Sequence, residues 1–133
     1  MLHNPIVVML LAALAAWIFG AIWYTALSKP YQRALGLDPE QGKGQKMPLA
    51  PMLTSFLCEL VMAFVLYQLL TGFGVQGLQG GAVVGLVLGV GFMATTTLVN
   101  NMFQGARPML SVINCAHWIG VAVIEGAVLA ALA

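Results

Sequence analysis

Residues 110–130 read LSVINCAHWIGVAVIEGAVLA, and this stretch decides the fold class because it is apolar over the length of a membrane-spanning helix. Its strongly polar side chains are those of Asn114, His117 and Glu125. Three similar stretches precede it, so the predicted spans cover residues 6–27, 50–70, 80–102 and 110–132. The sequence therefore predicts a single domain over residues 1–133, an all-α integral membrane four-helix bundle.

The composition excludes several classes of protein. Hydrophobic residues make up 61% of the chain and charged residues 7%, whereas about a quarter of the residues in a soluble domain are charged. The net charge of +1 does not suggest a nucleic-acid partner. Cys58 and Cys115 both lie inside apolar stretches, which disfavours a disulfide framework or a zinc cluster. We expect a lipid-embedded protein that has no metal site and no cofactor.

The basic residues predict one orientation in the membrane. Four of the five lie between the first two spans and the fifth lies between the last two; they are Lys29, Arg33, Lys43, Lys46 and Arg107. Cytoplasmic loops are enriched in Lys and Arg, so both of these loops are expected in the cytoplasm. Both termini are then non-cytoplasmic, in a multi-pass protein of the bacterial cytoplasmic (inner) membrane.

The first loop contains the signals of a short helix. Ser28 is a suitable N-cap, Pro30 fits the first turn, and Gly36 is a suitable stop. We expect this helix to lie at the membrane interface, followed by a flexible basic link at residues 41–47.

Glycines in the third span recur at every fourth position and line one helix face: Gly77, Gly81, Gly85 and Gly89. Small residues let helix backbones approach closely in lipid, where no hydrophobic drive brings helices together. Two interpretations are open. This face packs inside the bundle, or it forms the contact of a homo-oligomer.

The polar residues of the spans fall at similar depths. At 1.5 Å per residue, His117 lies about 10 Å and Glu59 about 13 Å from the cytoplasmic end. Ionisable groups in a span face the bundle interior, so we expect His117 to contact Glu59 and Thr95 or Thr96. Glu125 lies deeper, at about 22 Å, and is expected to be protonated or bonded to Tyr67 or Gln68. The candidate binding layer comprises Tyr24, Glu59, Thr95, Thr96, Asn100, Asn114 and His117.

Four short motifs resemble those of a bacterial membrane family catalogued as domain of unknown function 1761. They are GAIWY at 20–24, ATTTLVNNMF at 94–103, RP at 107–108 and INCAHW at 113–118. The resemblance covers nearly the whole chain and implies four spans. The family pattern falls on Trp23, Tyr24, Thr95, Thr96, Asn100, Arg107, Pro108, Asn114 and His117. One departure is that the aromatic Trp118 follows the histidine, whereas the family usually places it before, where Ala116 stands here.

Three functions compete. The first is a binding or accessory protein, whose polar pocket on the cytoplasmic side engages a lipid-like or quinone-like molecule or a larger membrane complex. The second is an oligomeric transporter or proton-conducting unit that uses His117 and Glu59. The third, a membrane enzyme, is disfavoured because the sequence contains no catalytic triad, metal-ligand cluster or phosphate-binding glycine loop. We therefore expect no catalytic residues.

Overall fold

The computed structural model describes residues 4–40 and 48–133, and this part of the chain is helical. The helices are α1 (Pro5–Ala26), α2 (Ser28–Ala34), α3 (Leu49–Gly72), α4 (Leu78–Leu88), α5 (Thr95–Phe103) and α6 (Pro108–Leu132). A π-helical segment, Gly89–Ala94, joins α4 to α5, so that one continuous rod runs over Leu78–Phe103. We call this rod the third span.

Four helices are long and apolar enough to cross a membrane: α1, α3, the third span and α6. The predicted four-span membrane bundle is thereby confirmed, and the protein is a multi-pass membrane protein. The short helix expected in the first loop is α2. The predicted flexible link at residues 41–47, which includes Lys43 and Lys46, lies outside the described residues.

The starts of α1 and α6 follow the local signals in the sequence, whereas Ser28, expected as the N-cap of α2, is its first residue and makes no capping hydrogen bond. The Asn4 side chain accepts a hydrogen bond from the Ile6 amide at 3.0 Å, which satisfies one of the free N–H groups at the start of α1. α6 begins with Pro108, whose missing N–H costs nothing in a first turn. Gly105, in the turn between α5 and α6, has a φ of 71°, a conformation that favours glycine.

α6 is the central helix of the molecule. It packs against α1, α3 and the third span, whereas α1 and the third span have no contact with each other within the described ranges. The expectation that all four spans share one polar interior is therefore wrong. α6 stands between the third span and α1, and α3 has only a small contact with the third span.

Glycine allows the third span to lie against α6. A Cβ atom on Gly81 would overlap the carbonyl oxygen of Gly126, and one on Gly85 would overlap that of Ala122. A Cβ atom on Gly89 would lie 3.0 Å from Cα of Ile119. This face is covered by α6 of the same chain, as in the first of the two interpretations above.

Gly77 lies outside this contact, although the four-residue spacing places it on the same face. It precedes α4 with a φ of 83°, and no atom lies within 4 Å of a Cβ built on it. Its amide donates to the Ala130 carbonyl at 3.2 Å, which ties the turn between α3 and α4 to the end of α6.

The apolar core closes only one end of the bundle. It is made by small and branched residues of α1, α3 and α6: Val8, Ala12, Ala13, Ala63, Leu66, Leu70, Leu129 and Ala130. The other end carries α2 and the turn between α5 and α6, with Lys29, Arg33 and Arg107, and we call it the basic end. At this end the described residues of α1 and α3 form no similar core.

Candidate functional site

A cavity of about 950 Å³ lies at the basic end, between α1, α2 and α3. It is partly open, and it extends from Asp38 and Pro48 to Glu59 inside α3. His117 and Trp118 of α6 contribute to its wall. The cavity therefore reaches from the loop side into the membrane-spanning part of the protein.

Aromatic rings form much of the cavity wall, and two of these residues, Trp17 and Tyr24, are held by hydrogen bonds. Trp17 donates from Nε1 to the Met52 carbonyl at 3.0 Å, which joins α1 to α3. The edge of its ring meets Phe56, with ring centroids 5.8 Å apart. Tyr24 and Tyr31 meet edge to face at 5.1 Å. These contacts fix the ring positions before any ligand arrives.

The junction between α1 and α6 is made by polar contacts at the basic end. Tyr24 donates from its hydroxyl to Oδ1 of Asn114 at 2.7 Å. Trp23 donates from Nε1 to the Ile113 carbonyl at 3.2 Å. These polar groups cannot be hydrated inside the lipid, so hydrogen bonds between the two helices favour the pairing of α1 with α6.

His117 is buried among aromatic rings of α1 and α6. Its ring lies parallel to that of Phe19, with centroids 6.0 Å apart, and packs against Tyr24 at 4.8 Å and Trp118 at 4.7 Å. A Cβ on Gly20 would lie 2.8 Å from Nε2 of His117, so glycine leaves the space that the ring occupies. Nδ1 has no hydrogen-bond partner among the described residues.

Two buried carboxyl groups lie at the inner end of the cavity: Glu59 lines it, and Glu125 lies outside the lining. Glu59 and Glu125 are each 1% exposed, and they are close enough to interact electrostatically. Oε2 of Glu59 and both carboxyl oxygens of Glu125 have no hydrogen-bond partner in the described part of the chain. Of the two alternatives for Glu125, a bond to Tyr67 or Gln68 is therefore wrong, and a protonated carboxyl group stays a prediction.

The predicted polar residues of the third span lie elsewhere. Thr95, Thr96 and Asn100 are exposed on the outside of the molecule. Thr95 donates to the carbonyls of Gly91 and Phe92 at 3.0 and 3.1 Å, and Thr96 also donates to Phe92.

The predicted contact of His117 with Thr95 or Thr96 is wrong because α6 separates the third span from the cavity. A threonine on the outside of a span satisfies its hydroxyl on its own helix. Of the layer predicted from depth, Tyr24, Glu59 and His117 line the cavity, and Asn114 bonds Tyr24. The predicted contact of His117 with Glu59 is not made by a hydrogen bond or an ion pair in the described part of the chain.

Several residues of this region escaped the sequence analysis. Trp17 and Gly20 were missed: with the predicted residue Tyr24 they follow one another at spacings of three and four, which places all three on one face of α1. That pattern was readable. Asn101 was also missed: it is buried and donates from Nδ2 to the Ser111 hydroxyl at 3.2 Å, while its neighbour Asn100 points outwards. One residue turns a helix by about 100°, so two adjacent asparagines cannot share a face.

Arg107 fastens α2 to the start of α6. Its guanidinium donates to the carbonyl of Arg33 in the last turn of α2 and lies beside Gly36. A cation at a helix C-terminus bonds the free carbonyls there and suits the helix dipole. Arg107 thereby helps to position α2, which forms one side of the cavity.

We expect Tyr24→Phe to lower the free energy of unfolding by about 0.5–1.5 kcal/mol, because it leaves Asn114 without its donor. Unfolding in mixed micelles of increasing SDS content, followed by circular dichroism, measures this. Tyr67→Phe is the matched control, since the Tyr67 hydroxyl makes no hydrogen bond in the described residues and should lose almost nothing. An equal loss in both variants would contradict the assigned bond.

The described residues contain no group of three or more His, Cys, Asp or Glu side chains that could hold a metal ion. Cys58 and Cys115 are unpaired, and the Cys115 thiol donates to the Ala94 carbonyl at 3.3 Å. The arrangement is that of an apolar, aromatic cavity with few polar groups, a composition typical of small-molecule sites.

The motif residues that suggested a family largely coincide with this junction. Trp23, Tyr24, Arg107, Asn114 and His117 all join α1 or α2 to α6 or to the turn before it. Searches of the curated proteins and of the solved structures found no match to the chain. The model of one family, described as "protein of unknown function (DUF1761)", matches residues 7–130, and the chain belongs to that family.

Proposed function

We propose that this protein is a non-catalytic binding or accessory protein of the bacterial inner membrane, and that it holds a small amphipathic molecule in the cavity between α1, α2 and α3. The carrying observation is the cavity itself. Its volume of about 950 Å³ lies within the range of small-molecule sites, about 300–1,000 Å³. Lipid-like and quinone-like molecules have the mixed apolar and polar character that its lining suits.

The position of the cavity supports entry from the loop side. Asp38 and Pro48 border it, and α2 flanks it. Lys29 and Arg33 of α2 and Arg107 belong to the same end of the bundle. By the positive-inside rule this end is cytoplasmic, so the ligand enters from the cytoplasm or the inner leaflet.

The orientation is tested by reporter fusions. A reporter that is active only in the cytoplasm should be silent when it is fused after Ala133, because both termini lie on the opposite side from the basic residues. The same reporter inserted after Glu40 is the positive control and should be active. Activity after Ala133 would show that the proposed orientation is inverted.

Ligand binding is tested by filling the cavity. Ala21 lines the cavity, whereas the next residue, Ile22, is 63% exposed on the outside of α1. Wild-type protein purified in mild detergent should carry an amphipathic molecule that native mass spectrometry detects. Ala21→Phe should lower its occupancy at least tenfold, and Ile22→Phe should leave it unchanged.

Two outcomes would count against the binding function. The first is the absence of any bound molecule from protein extracted directly from native membranes. The second is equal occupancy in the two phenylalanine variants, since the molecule would then bind outside the cavity.

A second candidate is an oligomeric transporter or proton-conducting unit. The observation that favours it is the series of interior ionisable groups, with His117 and Glu59 at the cavity and Glu125 deeper in the bundle. Ionisable groups inside a membrane often form proton pathways. Purified protein in liposomes should then move protons or a solute, and His117→Ala should abolish the flux. Wild-type liposomes no more permeable than empty ones would remove this candidate.

A further inference from the structure

We propose that the ligand of the cavity is a lipophilic organic cation, such as an amphipathic amine or a quaternary ammonium compound, and that its charged centre lies beside Glu59. The inference rests on the proposed binding function and narrows it to one chemical class. It is carried by three independent features of the cavity: the sign of its charges, an unpaired buried carboxyl group, and its aromatic wall.

The charges on the cavity wall are acidic. The described residues that line it include Glu59 at the inner end and Asp38 near the mouth, and no lysine or arginine. Lys29 and Arg33 are exposed on α2 outside the lining, and Arg107 is directed to the Arg33 carbonyl. Among the described lining residues an anionic head group would meet repulsion and no lysine or arginine, whereas a cation would be attracted from mouth to inner end.

One carboxyl oxygen of Glu59 has no hydrogen-bond partner among the described residues, and a bound cation would pair with this group. The side chain lines the cavity and is 1% exposed, yet its Oε2 makes no hydrogen bond with any described residue. No described side chain of opposite charge contacts it. A carboxyl group inside a membrane protein is costly unless it is paired, and such groups mark ligand or ion sites. Glu125 is buried nearby, and neither of its carboxyl oxygens has a hydrogen-bond partner among the described residues.

The aromatic wall suits the organic part of a cation and its charge. The rings that line the cavity come from three helices: Trp17, Tyr24, Tyr31 and Trp118. Aromatic faces attract cations, and groups of such rings recognise quaternary ammonium ligands. Trp17 and Tyr24 already use their polar atoms, in the bonds to Met52 and Asn114, so their rings remain for the ligand.

Two probes of similar size and shape but opposite charge test this inference: tetraphenylphosphonium and tetraphenylborate. Equilibrium dialysis against purified protein in detergent, with protein-free micelles as the blank, gives the affinity of each. We expect the phosphonium to bind at least tenfold more tightly than the borate. Glu59→Gln should weaken phosphonium binding at least tenfold, and the neutral probe decylubiquinone should show no such change.

Matched variants separate the roles of charge and shape. Glu40→Gln makes the same substitution at an exposed position outside the lining and should leave phosphonium affinity unchanged. Ala21→Phe should weaken it at least tenfold because the bulky ring occupies the cavity. If Glu59→Gln fails to fold, the comparison of the two probes on the wild-type protein still decides.

The contrary outcomes distinguish this inference from the binding function on which it rests. Borate binding as tight as phosphonium binding overturns the inference. Binding of decylubiquinone or of a native lipid that Ala21→Phe removes, without phosphonium binding, also overturns it and leaves the binding function in place. If none of the three probes binds and no native ligand is found, both the inference and the binding function are overturned.

Discussion

Gly85→Leu is expected to prevent assembly of the folded bundle. A Cβ at this position already overlaps the Ala122 carbonyl oxygen and lies 2.9 Å from Cα of Val123, and these are backbone atoms that cannot rotate away. The third span would have to leave α6, which is its main contact. We expect a loss of more than about 3 kcal/mol, beyond the usual cost of overpacking a core. Unfolding in mixed micelles, followed by circular dichroism and size-exclusion chromatography, measures it.

Gly91→Leu is the control for this prediction. Gly91 lies in the same span and is exposed, and no atom lies within 4 Å of a Cβ built on it. The helix propensity and hydrophobicity change in the same way in both variants, so only packing differs. Equal stability of the two leucine variants would show that the glycine face does not hold the third span against α6.

Gly20→Leu is expected to disrupt the junction of α1 and α6 by displacing His117. The introduced Cβ would lie 2.8 Å from Nε2, and the ring is confined by Phe19, Tyr24 and Trp118. We expect a loss of about 1–3 kcal/mol in the free energy of unfolding. Because the cavity wall includes both Gly20 and His117, binding of a ligand there should also fall.

A double-mutant cycle isolates the cause. In a His117→Ala background the space for a leucine at position 20 is available, so Gly20→Leu should cost much less there than in the wild type. Thermal or SDS unfolding of the four proteins gives the coupling energy. Equal costs of Gly20→Leu in both backgrounds would mean that the two residues do not compete for the same space.

The spans, their turns and the short helix α2 were predictable because they depend on local properties. About 20 consecutive apolar residues in lipid must form a helix, since no other conformation of a single segment satisfies the hydrogen bonds of its own backbone there. Asn4 caps α1 and Pro108 begins α6 as the sequence indicates, because caps act within one helical turn. The face of α6 that carries His117 and Asn114 also followed from helical geometry alone.

The lateral order of the helices was not predictable in this way. Depth and rotation describe each helix separately, and they placed Thr95 and Thr96 level with His117 without showing that α6 lies between them and the cavity. Which helices are neighbours depends on how closely two particular surfaces fit, and in lipid that fit decides association because burial of apolar area does not.

The sequence by itself determined a four-span membrane protein of the family, with polar groups on one face of its last span. Only the tertiary structure decided that this face meets α1 and α3, that Trp17 and Trp118 join Glu59 around a cavity, and that the threonines face outwards. The physical reason is that Gly81 and Gly85 let the third span lie directly on α6. This close backbone contact assigns one side of α6 to the third span and leaves its other sides to α1 and α3.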